Sequence, residues 1–258
     1  MKEPGTLAWK ERQPPLTTTP VRAFLDRLVA IAYGLGYDAV VRGFPPYQAL
    51  LDEVVTCVSR ASGGARPRDV KVLDIACGTG TVASRLAGEG YRVVALDIVE
   101  HLVAVAQRRH GGSGSITFHN LDLAQQPVPE AGTFDVLVSM HTLYWHPNPQ
   151  GVLEACRATL RPGGHGLFLT YVRPAHVAKT FQVIRAEQGL AGAMSALRWL
   201  LPTAVFEAVR HYEPRYMSRD EFHRTLAQAG LEVLELRETF LAGLSLLALT
   251  RNSRPGRA

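Results

Sequence analysis

Residues 72–80 read Val-Leu-Asp-Ile-Ala-Cys-Gly-Thr-Gly. An apolar, β-branched run ends in an acid and then in a glycine-rich turn, and Thr81–Gly88 carries a helical pattern directly after it. Strand, tight glycine turn and helix in this order commit the chain to an open α/β sheet with a ligand crevice at the carboxyl ends of its strands. Gly78 and Gly80 let the backbone approach a ligand where a Cβ would collide. The turn is not the dinucleotide form. No third glycine follows for a pyrophosphate, and Asp74 sits in the turn region. A carboxylate repels phosphate and suits a cation.

Alternation around this motif extends the prediction. Strands are expected at Lys71–Ile75, Tyr91–Leu96, Ser115–His119, Phe134–Ser139 and Gly166–Tyr171. Helices are expected at Thr81–Gly88, Glu100–Arg109 and Gln150–Leu160, the last stopped by Arg161-Pro162-Gly163-Gly164. This order predicts a doubly wound, mostly parallel sheet with helices on both faces. Ser218-Arg219-Asp220-Glu221 reads as a capping box opening a helix that ends at Gly230. Leu231–Leu236 and Leu244–Leu249 follow, separated by only about seven residues. That is too short for a crossover, so the last strand should pair antiparallel and complete a seven-stranded α/β sheet.

The Asp74, Gly78-Thr79-Gly80 combination resembles motif I of the Rossmann-like (class I) S-adenosylmethionine (SAM) methyltransferases, small-molecule type. The mostly parallel sheet with an antiparallel last strand resembles the same fold. The resemblance covers roughly 68–173 and 218–251. It implies SAM as cofactor and S-adenosylhomocysteine (SAH) as product. It also implies a site, residue by residue. Asp74 faces the amino-acid end of SAM, beside Ala76, Gly78 and Gly80. Asp97, ending the second strand, accepts from the ribose hydroxyls. Asp122 bonds the adenine amino group, with the Leu123 amide on a ring nitrogen. Ile98 and Leu121 flank the ring, unless they are core. Met140, just after the fourth strand, borders the cofactor. Asp135, at the far end of that strand, is structural.

The segment after the fourth strand, Ser139–Pro149, leaves the sheet edge beside the methyl donor and should carry substrate groups. It lacks the signatures of the DNA methyltransferases that grip a flipped base. His141 and His146 are the candidate general bases, because histidine titrates near neutral pH. The plainer reading makes them strand-end and turn residues. Tyr37, Tyr47, Tyr144 and Tyr171 are expected to wall the acceptor pocket. The loop offers no carboxylate cluster, so no metal is expected.

Four regions follow. Residues 1–20 read as a disordered tail and 21–64 as a helical cap. Residues 65–173 and 217–251 form the SAM-binding domain. Residues 174–216, rich in Phe181, Ile184, Leu190, Met194, Leu197, Leu200 and Leu201, read as a helical lid over the acceptor. A dimer interface or a membrane-surface contact stays open for that stretch.

No apolar run reaches the ~20 residues of a membrane span. Residues 1–20 lack the apolar core of a signal peptide. Cys57, Cys77 and Cys156 have no metal spacing and read as reduced thiols, so a cytoplasmic location is expected. The net charge of +5 sits partly in the tail at 251–257, and no basic–aromatic stripe points to nucleic acid. The expected activity is methyl transfer to oxygen or carbon of a small, fairly apolar metabolite. Its rivals are a SAM-dependent elimination or ring closure, a binding protein without turnover, and RNA methylation.

Overall fold

The computed structural model describes residues 43–123, 125–146, 148–173, 177–209, 215–241 and 243–253, with backbone alone at 145, 199 and 202–209. Helix α1 (Pro45–Ala61) starts with proline in its first turn, where no amide proton is needed, and buries Tyr47, Leu50, Leu51, Val54 and Val58 as one stripe. Then β1 (Lys71–Ile75), α2 (Thr81–Gly88), β2 (Arg92–Asp97), α3 (Glu100–His110) and β3 (Ile116–Asn120) alternate. They are followed by β4 (Phe134–Met140), α4 (Pro149–Thr159), β5 (Leu160–Tyr171) and α5 (Val177–Val209). Helix α6 (Arg219–Gln228) and strands β6 (Leu231–Thr239) and β7 (Ser245–Asn252) complete the described chain.

The seven strands lie in the order β3-β2-β1-β4-β5-β7-β6. All neighbours are parallel except β7, which runs antiparallel to both β5 and β6. The reversal after β3, from β1 outward to β4, makes a topological switch point at the carboxyl ends of β1 and β4, where such sheets bind ligands.

Side-chain alternation splits the core in two. Val72, Val93, Val138 and Leu167 face one layer with Leu50, Val54, Val82, Leu86 and Val103 of α1, α2 and α3. Leu73, Leu137 and Phe168 face the other, with Leu153 of α4 and Phe222 and Leu226 of α6. Asp74, Met140 and Tyr171 share the first face by strand parity.

Several ends differ from the sequence expectation. Strand β5 begins at Leu160, directly after α4. Phe134 pairs with Leu160 and Val136 with His165, so the Arg161–Gly164 stretch is absorbed as an irregularity of the β4–β5 ladder rather than a free loop. Ser218 caps α6 by accepting the Glu221 N–H, but the Glu221 carboxylate turns to Arg215, so only half of the capping box forms. Helix α5 is interrupted at Gly189 (φ 75, ψ −178), a conformation close to glycine-only, and therefore consists of two helices. Its Ile184, Ala193, Ala196 and Leu200 are buried in the first core layer, while Leu190, Met194 and Leu201 are exposed. The expected tail and most of the N-terminal cap, Tyr37 included, lie outside the described residues, as do 174–176 and 210–214.

Candidate active site

After β1 the backbone turns through Ala76 (φ 55), Gly78 (φ 54) and Gly80 (φ 81). The Cys77 N–H donates to the Leu96 carbonyl at 2.9 Å and ties the turn to β2. The two glycines serve different ends. A Cβ on Gly80 would come 3.0 Å from the Phe118 ring and 3.1 Å from Ala106. Gly80 is therefore required by packing and by its left-handed backbone at the start of α2. A Cβ on Gly78 would meet no protein atom within 4 Å. Gly78 lines open space.

Two acids flank this turn. Asp97 uses both oxygens on the backbone: Oδ2 accepts the Gly78 N–H and Oδ1 the Val99 N–H, each at 2.8 Å. Burial pushes its carboxyl up, and the Val99, Gly78 and Ile98 amides oppose that shift. Asp74 is 1 % exposed. Burial pushes its pKa to about 8; the Ala83 amide opposes the shift and the Asp97 charge adds to it. Its Oδ2 has no hydrogen-bond partner among the described residues. A buried carboxylate in this condition is a place for a cation.

Beyond β2, Ile98 is 68 % exposed and offers a bare apolar face next to Asp97. Leu121 and Leu123 instead lean on the second core layer. The Leu121 N–H and the Asn120 side chain both donate to the Asp97 carbonyl at 3.0 Å, which fixes the β3 end beside β2. Asp122 accepts from the Gln125 side chain, and its carbonyl accepts the Gln125 and Gln126 amides.

The β4 edge is aromatic. Met140 ends the strand and packs on the first core layer. His141 follows with φ 52 and donates its N–H to the Leu169 carbonyl at 2.8 Å. Its ring stacks on Tyr171 with centroids 3.8 Å apart and planes 4° apart. Its Nε2 lies 2.9 Å from the Ser245 hydroxyl. Burial pushes the imidazole pKa down to about 3, so the ring is neutral at physiological pH. Tyr144 meets Tyr171 edge-on at 4.9 Å and lies near-parallel to Tyr216 at 6.3 Å. Phe240 sits 6.1 Å from His141 and 6.4 Å from Tyr47. Tyr47, Phe240, His141, Tyr171, Tyr144 and Tyr216 thus form one continuous array.

His146 belongs elsewhere. Its Nδ1 lies 3.0 Å from the Asn148 carbonyl and 3.1 Å from the Asn148 amide, bracing the entry to α4. No contact joins it to His141 among the described residues. Asp135 binds the Lys71 N–H at 2.8 Å and Arg161 Nε at 2.6 Å, at the opposite end of the sheet from the glycine turn. Among the described residues no group of three or more His, Cys, Asp or Glu is placed to hold a metal.

Sequence reasoning missed Ser245, Phe240 and Tyr216. Ser245 left a trace, because it interrupts the apolar run from Leu244 to Leu249. Phe240 sat unremarked in the connection between the last two strands.

A switch point in this strand order, with a glycine turn flanked by a buried acid on β1 and a second acid ending β2, is the arrangement of the Rossmann-like SAM-dependent methyltransferase class. The chain belongs to the methyltransferase-domain family, whose model matches residues 47–236. It is 32% identical over 167 residues to a ubiquinone biosynthesis O-methyltransferase of Aromatoleum aromaticum, covering 64% of this chain and 65% of that one. It is 30% identical over 171 residues to the protein described by the same words in Acinetobacter baumannii, with the same coverages. The chain thus spans about 65% of the length of the curated relatives it matches. Among solved structures it resembles 1,6-didemethyltoxoflavin-N1-methyltransferase of Burkholderia thailandensis, with a TM-score of 0.60 at 19% identity over 94% of this chain and 93% of that one. It also resembles the N-methyltransferase NodS of Bradyrhizobium japonicum in complex with SAH, with a TM-score of 0.56 at 17% identity over 83% of this chain and 91% of that one. These likenesses establish the fold.

Proposed function

We propose that this chain transfers the methyl group of SAM to a hydroxyl oxygen of a small, planar, largely apolar acceptor. The observation that carries the reading is the aromatic array from Tyr47 to Tyr216, which lies at the strand edge and includes Tyr171 on the same sheet face as Asp74. The likeness to O-methyltransferases of ubiquinone biosynthesis supports oxygen as the accepting atom. The fold alone does not select that atom, since one neighbour is a carbon methyltransferase and another an N-methyltransferase.

The residues present fit the cofactor. The partnerless Oδ2 of Asp74 suits an α-ammonium, and the bare edge of Gly78 leaves room for the chain beside it. Each Asp97 oxygen keeps a lone pair after its backbone bond, enough to accept a ribose hydroxyl. Ile98 offers an apolar wall for a purine, with Asp122 and Leu123 at the ring edge. SAM, when bound, supplies a methyl group already activated by its sulfonium.

The protein's share is alignment and exclusion of water. Tyr171 and Tyr144 would stack and abut a planar acceptor, and Met140 would border the donor. A neutral His141 orients rather than ionises. The two helices of α5 are the candidate lid, since their contacts place them in the same core layer as Tyr47 and Phe240. A cytosolic location accords with three free cysteines and with the lack of any helix long and apolar enough to cross a membrane among the described residues.

The test is SAH release from SAM with panels of small phenols, amines and activated carbon acids. Turnover with at least one phenol and none of the amines is expected. Release of SAH with amines alone would overturn the reading.

A further inference from the structure

Tyr171 and Ser245 face each other as the last pair of the antiparallel β5–β7 ladder. The His141 ring covers this pair: it stacks on one member and hydrogen-bonds the other. Ser245 is fully buried, and His141 Nε2 is the hydrogen-bond partner of its hydroxyl among the described residues. The contact bridges residues 104 apart in sequence, from the strand at the switch point to the antiparallel strand. It is held from both sides. The positive φ of His141 aims the ring back over the sheet, and its backbone N–H is already spent on Leu169.

A hydroxyl facing a neutral imidazole nitrogen has two options. If Nε2–H donates to Oγ, the hydroxyl proton is left in a buried place with no acceptor. If Oγ–H donates to Nε2, the fully buried hydroxyl proton is satisfied and the ring's own proton moves to Nδ1, which is not among the buried atoms left without a partner. The second arrangement leaves the ring proton on Nδ1. No described residue bonds Nδ1. Free imidazole in a histidine side chain prefers its proton on Nε2, so this tautomer would be imposed by the protein.

We propose that Ser245 is a positioning residue: by donating to His141 Nε2 it confines the ring proton to Nδ1, so that His141 presents a neutral N–H donor, and not a base, to the acceptor oxygen. The tautomer stands on the apo geometry; its use toward the acceptor rests on the hydroxyl reading above. A neutral donor at that edge would orient an oxygen lone pair toward the methyl group and favour the anionic form of a phenol. It would remove no proton itself: the phenol proton is lost to solvent as the acceptor binds in its anionic form, and the phenolate then takes the methyl group as the bond to sulfur breaks.

The experiment is nitrogen NMR on the full chain labelled with ¹⁵N-histidine, the His141 signals being assigned among the nine histidines by loss in His141→Phe. The expected result is a neutral, Nδ1-protonated ring. Ser245→Ala should revert it to the Nε2-protonated form while the remaining histidine signals stay in place, and Ser245→Thr should restore Nδ1 protonation. An Nε2-protonated His141 in the wild type, or a tautomer unchanged in Ser245→Ala, overturns the proposal. A second arm uses 4-nitrophenol with SAH and reads the visible absorbance of bound phenolate against pH. The wild type should hold the phenolate to lower pH than Ser245→Ala, by roughly tenfold in proton concentration, as expected for loss of one charge-assisted hydrogen bond. Equal titrations in the two proteins overturn the donor role. If 4-nitrophenol does not bind while the NMR shows the Nδ1 form, it is the acceptor class that fails, and the assignment of Ser245 stands.

Discussion

The Oδ2 of Asp97 accepts the Gly78 amide proton at 2.8 Å, so the acid that closes β2 also holds the turn that leaves β1. The proposed ribose contact and the shape of the glycine turn therefore fall on one side chain. The Val99 amide on Oδ1 ties the same carboxylate to the start of α3.

Asp97→Ala should accordingly have two effects. Two backbone amides lose their acceptor, which costs about 1–3 kcal/mol of stability. SAH affinity should fall by about 1.5–3 kcal/mol, on the order of tenfold to a hundredfold. Calorimetric titration and thermal melts measure the two separately. Wild-type affinity for SAH in a folded Asp97→Ala protein would remove Asp97 from the cofactor site.

Gly78 and Gly80 should dissociate on substitution. Both have positive φ, so alanine strains either by about 1–2 kcal/mol. At Gly80 the new Cβ also presses on Phe118 and Ala106, adding about 1–3 kcal/mol of overpacking. Gly80→Ala is thus the greater loss in melting temperature. Gly78→Ala melts nearer the wild type, and its larger defect should be in SAH binding. The reverse ranking would mean that the open space beside Gly78 is not the cofactor's.

Asp74 gives a pH prediction with a definite sign. Its pKa is near 3.8 in the unfolded chain and about 8 in the folded protein. Below about pH 4 both states are protonated and the group contributes nothing. As pH rises from about 4 to 8 the unfolded state ionises first, and stability falls. Half-buried His141 acts oppositely, losing stability as pH falls from 6.5 toward 3. Comparison with Asp74→Asn isolates the first effect: the variant should be the more stable protein at pH 8 and equal to wild type near pH 4. SAM binding at pH 7 should release a proton from Asp74, because an adjacent cation favours the ionised form. Calorimetry in buffers of unlike ionisation enthalpy reads that proton directly, and Asp74→Asn should abolish it.

The sequence carried the scaffold further than the substrate side, for a physical reason. Lys71–Ile75 and Thr81–Gly88 have the same bounds in the sequence reading and in the structure, because β-branched runs and glycine turns are local signals. The antiparallel β7 was legible from loop length alone. The positions of Asp74 and Asp97 beside the glycine turn were legible because strand ends converge at a switch point. The aromatic array was not. His141, Tyr171, Tyr216 and Phe240 come from four separated segments, and only the β5–β7 pairing brings Ser245 to His141. His141 was legible as a titratable ring after β4, but the packing that lowers its pKa is not written in the local sequence.

Chelation should leave the enzyme active. The described residues bring together no metal-binding cluster, and the edge beyond β4 is aromatic rather than acidic. SAH release with a competent phenol should be the same before and after exhaustive treatment with EDTA. A loss reversed only by magnesium or calcium would call for carboxylates from beyond the described residues.

The last prediction concerns α5. Gly189 breaks the helix at a backbone conformation near glycine-only, yet a Cβ there would meet no atom within 4 Å. Its cost on substitution is therefore conformational and not steric, about 1–3 kcal/mol if the break is kept. Gly189→Ala should relieve that cost by straightening the helix, because alanine favours continuous helix over the broken form. The buried set on the two halves, Ile184 on one and Ala193, Ala196 and Leu200 on the other, cannot then all reach the core layer that holds Tyr47 and Phe240. If α5 is the lid, the variant should raise KM for a phenolic acceptor several-fold while SAH affinity changes little. Hydrogen exchange makes the complementary measurement: amides across Val177–Val209 should slow when a phenol and SAH bind together, and slow less in Gly189→Ala. Strong protection without any ligand would make α5 a permanently packed subdomain, and protection that rises with protein concentration would make it an interface between copies. Either result would sink the lid, because closure over an acceptor must depend on the acceptor.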